Sequence, residues 1–228
     1  MKRGFSILAI VTALLLSFAL YEALIAAPTE RTMGDVQRIF YYHVPSAWTA
    51  FLLFLINFVA SVVFLIRRDT RADILALVTA EVGVVFCTVV LVTGPIWARP
   101  VWGIWWAPTD IRLNSTLVLW LIYVSYLVLR RFSTSSKTAS LAAALAVFGA
   151  LDVPLVYFSI WFFRTQHPSP VIGGGGYLYP AMARALLINW AAFLCLAWLV
   201  CWTRYRLEVV TREVEEAQAL ESLLEGSR

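Results

Sequence analysis

The stretch Pro95–Leu113 reads PIWARPVWGIWWAPTDIRL. Trp97, Trp102, Trp105 and Trp106, four of the chain's ten tryptophans, fall in it with Pro95, Pro100 and Pro108. Each proline removes a helix hydrogen bond, so the density of prolines predicts a loop rather than a membrane helix. Loops usually favour small polar residues, and this one is aromatic. Apolar runs flank it on both sides, which places it at a membrane surface. Indole suits that depth, with an apolar body and an N–H that can reach a polar partner. The loop reads as a flat apolar platform. The competing reading is an aromatic belt that only anchors the helices.

Working outward, the 228-residue chain is 61% hydrophobic and only 14% charged. Those values lie outside the range of soluble domains. Six apolar runs, at about 5–26, 43–66, 74–94, 113–130, 139–162 and 181–203, each approach the ~20 residues that cross a bilayer. The expected fold class is therefore an all-α integral membrane protein, with six transmembrane helices and an outward-facing Trp-rich loop. Basic residues mark alternate gaps. Twelve lie in one set: Lys2, Arg3, Arg67, Arg68, Arg71, Arg130, Arg131, Lys137, Arg204, Arg206, Arg212 and Arg228. Six lie in the other: Arg31, Arg38, Arg99, Arg112, Arg164 and Arg184. The excess of Lys and Arg on the inner side puts both termini in the cytoplasm and the Trp loop outside. The net charge of +4 belongs to this pattern and does not indicate nucleic-acid binding.

The first run follows Met1-Lys2-Arg3 and ends near Ala26-Ala27. Its apolar part is longer than that of a signal peptide, so a retained helix is expected. After Trp202, Leu207, Val210, Val214, Ala217, Leu220 and Leu224 recur at helical spacing among charges. Residues 1–203 are read as a six-helix transmembrane domain. Residues 204–228 are read as a cytoplasmic amphipathic tail, lying on the membrane, packing on a partner or simply solvated. No GxxxxGK[ST] loop occurs, so the chain carries no ATPase of its own. Gly173–Gly176 reads as a flexible outer segment. Cys87, Cys195 and Cys201 are odd in number and form no CxxC, which supports neither a disulfide framework nor a redox motif.

The chain has two histidines. His43 lies in YYHVPSAW, and Pro45 suits a first helical turn, so the second helix is expected to begin there with His43 at its outer mouth. His167 lies in FFRTQHPSP, where Pro168 favours an extended loop. Each alone is most simply a structural or solvated histidine. Together at the outer face beside the Trp loop, they suit a flat iron macrocycle: two nitrogen ligands for the iron and apolar faces for the ring. Zinc fits less well, for want of clustered Cys or carboxylate ligands. Haem propionates need cations, and Arg38, Arg99, Arg112, Arg164 and Arg184 are all placed near that face. For each, a lipid headgroup contact is the alternative. Glu81 and Asp152 sit inside apolar runs, where an ionisable group is costly and marks either a paired structural acid or a functional position.

These residues resemble a known family. WGIWWAPTDIRL is similar to the tryptophan-rich "WWD" signature of haem-handling proteins of cytochrome c maturation, and FYYHVPSAW and LDVPLVYFSIWFFRTQHP resemble the two histidine-bearing segments of the CcmC family. Together with six helices in the same order, the likeness covers nearly the whole chain. One departure is that Ala107-Pro108-Thr109 separate the Trp pair from Asp110, where the family pattern has two residues, the second a Trp. The resemblance implies that His43 and His167 are axial ligands of a transiently bound haem b, and that Trp102, Trp105, Trp106 and Asp110 line its platform. It implies a non-enzymatic protein of the bacterial inner membrane that delivers haem to a CcmE-like periplasmic chaperone. A CcmD-like small membrane protein and a CcmAB-type ABC transporter are the implied neighbours. Two rivals remain: a b-type electron-transfer protein, which needs histidine pairs within the hydrocarbon, and a secondary transporter using Glu81 and Asp152.

Overall fold

The computed structural model describes residues 2–133, 135, 137–163, 165–168 and 178–226. Arg164, Arg228 and Gly173–Gly176 lie outside the described residues. Helix α1 (Lys2–Tyr21) ends in a π-helical turn, Glu22–Ala26, and a 3-10 turn, Asp35–Ile39, leads into α2 (Phe40–Arg67). Then follow α3 (Thr70–Trp102), α4 (Ile111–Phe132), α5 (Thr138–Ala150), α6 (Asp152–Phe162) and α7 (Pro180–Gly226). Among the described residues, six segments are long and apolar enough to cross a membrane: Arg3–Ala26, Asp35–Arg67, Thr70–Trp102, Ile111–Phe132, Thr138–Phe162 and Pro180–Glu225. The protein is a multi-pass α-helical membrane protein, as expected.

Local chemistry fixes the turns. Arg68 takes the left-handed conformation that ends α2, and the Asp69 carboxylate accepts from the Arg71 N–H at 2.8 Å to start α3. A left-handed cap followed by an acidic N-cap allows the reversal between two long helices in two residues. The core then forms where α2, α3, α4 and α5 meet. Phe54 stacks on Tyr123 at 3.9 Å between ring centroids. Gly83 makes room for it, since a Cβ there would stand 2.7 Å from the Phe54 ring. Ala80, Ala142 and Ala146 are buried in the same cluster, as close packing in lipid requires of small residues. Asn57 donates to the Ala76 carbonyl at 2.7 Å, and Asn189 to that of Ala19 at 3.1 Å.

The structure corrects three expectations. First, Pro95 and Pro100 do not break the chain: α3 runs through both to Trp102. The loop is only Gly103–Asp110, and Trp97 and Trp102 are helical. A proline removes one bond and leaves the rest of the ladder, and the helix ends instead at Gly103, whose φ of 77° suits its lack of a Cβ. Second, α2 begins at Phe40, not Pro45, so His43 lies within the helix's first turn rather than at its mouth, and Pro45 is interior. Third, the fifth span is two helices that meet at Leu151. Pro154 lacks the N–H that would bond the Ala150 carbonyl, which accounts for the break. Asp152 begins α6, and its Oδ2 is buried with no partner among the described residues.

Glu81 is a paired acid, accepting from Arg204 at 2.8 and 2.9 Å. The segment after Trp202 is helical and continues α7 without a break. At 47 residues this helix is about 70 Å long, more than twice the ~30 Å of hydrocarbon. Its far end must therefore project from the membrane.

Candidate functional site

The end of the bundle where α2 and α4 begin and α3 and α6 finish gathers both histidines and most of the Trp stretch. His43, half-buried one turn into α2, faces α3. Its Nδ1 lies 2.9 Å from the Thr93 hydroxyl, and Thr93 itself donates to the Val89 carbonyl at 2.6 Å. Beside it Gly94 lets the ring approach: a Cβ there would stand 3.4 Å from His43 Cε1. His43 is within electrostatic reach of His167 and Arg112. The fold therefore brings together two imidazoles that the sequence separates widely.

His167 lies in the segment after α6. Its ring meets Trp102 edge-on at 5.3 Å, and Trp102 in turn meets Trp97 at 5.2 Å. His167 Nδ1 is 3.6 Å from Asp110 Oδ1, a charge contact too long for a hydrogen bond. Neither histidine's Nε2 hydrogen-bonds a described residue.

Asp110, 2% exposed, organises this region. As the N-cap of α4 it accepts from the Leu113 N–H at 3.1 Å, and its other oxygen accepts from the Gln166 N–H at 2.8 Å. It thus ties the start of α4 to the residue next to His167. Burial alone would raise the Asp110 carboxyl. The His167 imidazole and the N–H groups of Gln166 and Leu113 outweigh that and hold its pKa at about 2. Three residues separate it from the Trp pair, yet it sits inside the site.

The loop is held from below by Asn114. Its amide donates to the carbonyls of Pro108 at 2.7 Å and Asp110 at 2.9 Å, and its oxygen accepts from Trp106 Nε1 at 3.3 Å. Trp106 is therefore oriented, whereas Trp105 is 59% exposed. The arginines divide the same way. Arg38 is engaged, donating to Ala23 O at 2.8 Å, Ala27 O at 3.3 Å and Thr29 at 3.2 Å and pairing with Asp35. Arg99 donates to the Gly103 carbonyl, and Arg184 pairs with Glu22 at 3.1 Å. Arg112, half-buried in the first turn of α4, makes no hydrogen bond or ion pair with a described residue; Asp110 and Tyr157 are its charged and polar neighbours.

Sequence reasoning did not find Thr93, Asn114 or Gln166. An Asp just before an apolar run is an N-cap signal, and it could have given Asp110 its structural role. No signal couples Thr93 to His43, 50 positions away. Among the described residues no group of three or more His, Cys, Asp or Glu could hold a bare metal ion.

Comparison with known proteins matches the chain to the family described as CcmC, Heme exporter protein C, over residues 1–220. A Heme exporter protein C of Bradyrhizobium diazoefficiens is 33% identical over 218 residues, covering 94% of this chain and 82% of that protein. Its counterpart in Escherichia coli is 30% identical, over 89% of this chain and 82% of its own length. A putative cytochrome c biosynthesis ccmC-like mitochondrial protein of Marchantia polymorpha is 31% identical, over 80% and 78%.

Proposed function

This chain belongs to the Heme exporter protein C family, a membrane haem-handling component of cytochrome c biogenesis, and from that premise we propose that it holds haem b transiently at the outer membrane face and passes it to a periplasmic chaperone of the CcmE type. The observation that carries this reading is the convergence of the chain's two histidines, His167 against Trp102 and His43 within electrostatic reach of His167 and Arg112, each ring contacted at Nδ1 and with no hydrogen-bond partner at Nε2 among the described residues.

The donor set fits the group. A haem iron takes neutral imidazole nitrogen at its axial positions, and a ligating histidine characteristically has its other ring nitrogen held by a hydroxyl, carbonyl or carboxylate. Thr93 serves His43 in that way, and Asp110 stands opposite Nδ1 of His167. Arg112, with no hydrogen-bond or ion-pair partner among the described residues, offers a guanidinium of the shape that pairs with a propionate; Arg99 and Arg38, also candidates from the sequence, are engaged with backbone carbonyls. Trp105 offers an exposed indole face, and Trp102 and Trp106 a held one. Bound this way, haem supplies an iron with exchangeable axial positions. The chain's residues orient it, cover its apolar surface and neutralise its carboxylates, with no catalytic step of their own. The bidentate salt bridge of Glu81 argues against a transporter that uses that acid as a pathway group.

The proposed setting is the bacterial inner membrane with both termini cytoplasmic, supported by the uneven division of basic residues between alternate gaps. Residues 1–203 are then the haem-handling domain. Residues 204–228 are the cytoplasmic extension of α7. A CcmD-like small membrane protein and a CcmAB-type transporter are the proposed neighbours in the bilayer.

The test is the absorption spectrum of the detergent-purified protein. Bis-histidine ligation gives low-spin six-coordinate haem. His43→Ala and His167→Ala each give five-coordinate or water-ligated iron, or lose the haem, and added imidazole restores the low-spin form. A wild-type spectrum in both variants rules out the ligand assignment.

A further inference from the structure

We infer that Thr93 is a positioning residue that locks His43 in the tautomer with the proton on Nδ1, leaving the Nε2 lone pair bare for a metal or other Lewis acid; the inference rests on the proposed role of His43 as a ligand. A hydroxyl has one proton. The Thr93 oxygen lies 2.6 Å from the Val89 carbonyl oxygen, and two oxygens that close repel unless a proton lies between them, so that proton belongs to Val89. What Thr93 presents to α2 is therefore acceptor lone pairs alone. His43 Nδ1 at 2.9 Å must be the donor, and in a neutral imidazole this leaves Nε2 unprotonated.

The backbone makes this device rigid. A threonine that back-bonds the carbonyl one turn earlier has a restricted rotamer, so its lone pairs point in a fixed direction before any ligand arrives. Gly94 borders the seat: a Cβ there would stand 3.4 Å from His43 Cε1, in contact with the ring. The two histidines are thereby backed by different chemistry. Nδ1 of His43 meets a neutral hydroxyl, whereas Nδ1 of His167 faces an ionised carboxylate.

The test uses the full chain, free of haem, in detergent and labelled with isotopic nitrogen at histidine. Only two imidazoles contribute, and His167→Gln assigns them. In the wild type and in Thr93→Ser, the ring-nitrogen chemical shifts of His43 at neutral pH report Nδ1–H. In Thr93→Val, which keeps the shape and removes the acceptor, Nε2–H appears. Nε2–H in the wild type, or an unchanged tautomer in Thr93→Val, overturns the inference without reference to haem. A second arm measures haem affinity: Thr93→Val loses about 10- to 100-fold, the usual cost of removing a group that holds a metal-binding histidine, and Thr93→Ser stays within a few-fold. Wild-type affinity in Thr93→Val, together with loss in His43→Ala, overturns the positioning role. Retention in His43→Ala defeats the ligand assignment instead, and the nitrogen shifts still decide whether Thr93 sets the tautomer. Gly94→Ala adds a methyl against the ring and keeps the hydroxyl, so it retains Nδ1–H; loss of Nδ1–H there counts against the hydroxyl as the cause.

Discussion

At the end of the bundle where α3 begins and α4 finishes, Asp73 receives Arg130 through two hydrogen bonds, at 2.5 and 2.8 Å, and pairs with Arg212 of α7 at 2.9 Å. At the opposite end, among the described residues, Arg112 has no ionic partner and Nε2 of neither histidine has a hydrogen-bond partner. The first arrangement exhausts its polar groups on one another and joins three helices. The second leaves its donors and a cation available. Under the proposed function, these are the groups that would meet haem. The polar network at the histidine end serves to hold the loop: Asp110 accepts from the backbone N–H groups of Leu113 and Gln166, and Asn114 donates to the carbonyls of Pro108 and Asp110 and accepts from Trp106.

The contrast is most sharply broken by removing Asp73. Asp73→Ala strands Arg130 and leaves Arg212 with Glu208 alone, and losing one member of a buried ionic cluster costs about 3–5 kcal/mol. Denaturation in detergent reads that loss. Haem bound per folded molecule stays at the wild-type level, because no ligand is touched. Lost haem at unchanged stability abolishes the division between a structural end and a binding end.

Asp110 probes the other end. Asp110→Asn keeps the cap on α4 but removes the charge facing His167, and haem affinity falls about 10- to 100-fold. Its acid dependence has a definite sign. With its pKa held at about 2, below the ordinary carboxylate value, the folded state binds its proton less readily than the unfolded chain. Asp110 therefore adds stability that is complete above about pH 4 and disappears as pH falls through 2. Unfolding curves of the wild type show that decline between about pH 4 and 2, and those of Asp110→Asn lack it. Identical curves detach the carboxylate from the architecture of this end.

The mildest probe is Trp105, whose indole faces outward. Trp105→Ala weakens haem by the ~0.5–1.5 kcal/mol of one aromatic contact, measured by haem titration, with folding stability unchanged. A loss of stability in place of affinity returns Trp105 to the role of a membrane anchor.

Much of this was legible in the chain. Six apolar runs gave six spans, because crossing hydrocarbon demands length and apolarity, and composition records both. The error at Pro95 and Pro100 came from treating proline as a stop, when its effect is one missing bond in a ladder of many. His43 and His167 could be assigned to one end from the alternation of basic residues. That His167 meets the Trp stretch through Trp102, and that Arg112 has no ion-pair partner among the described residues while Arg38 is engaged, could not be read from sequence. Such contacts depend on which helix faces turn toward each other.

The sequence by itself determined the number of spans, that both histidines lie at one end of the bundle and the aromatic character of their surroundings, since these follow from local hydropathy, charge and residue type. Only the tertiary structure decided that Thr93 stands behind His43 and Asp110 behind His167, that Asn114 braces the loop and that Glu81 is neutralised by Arg204. Each of those pairings joins segments whose register and rotation are set by packing. A hydrogen bond 2.9 Å long cannot be anticipated from a sequence pattern that leaves helix rotation free.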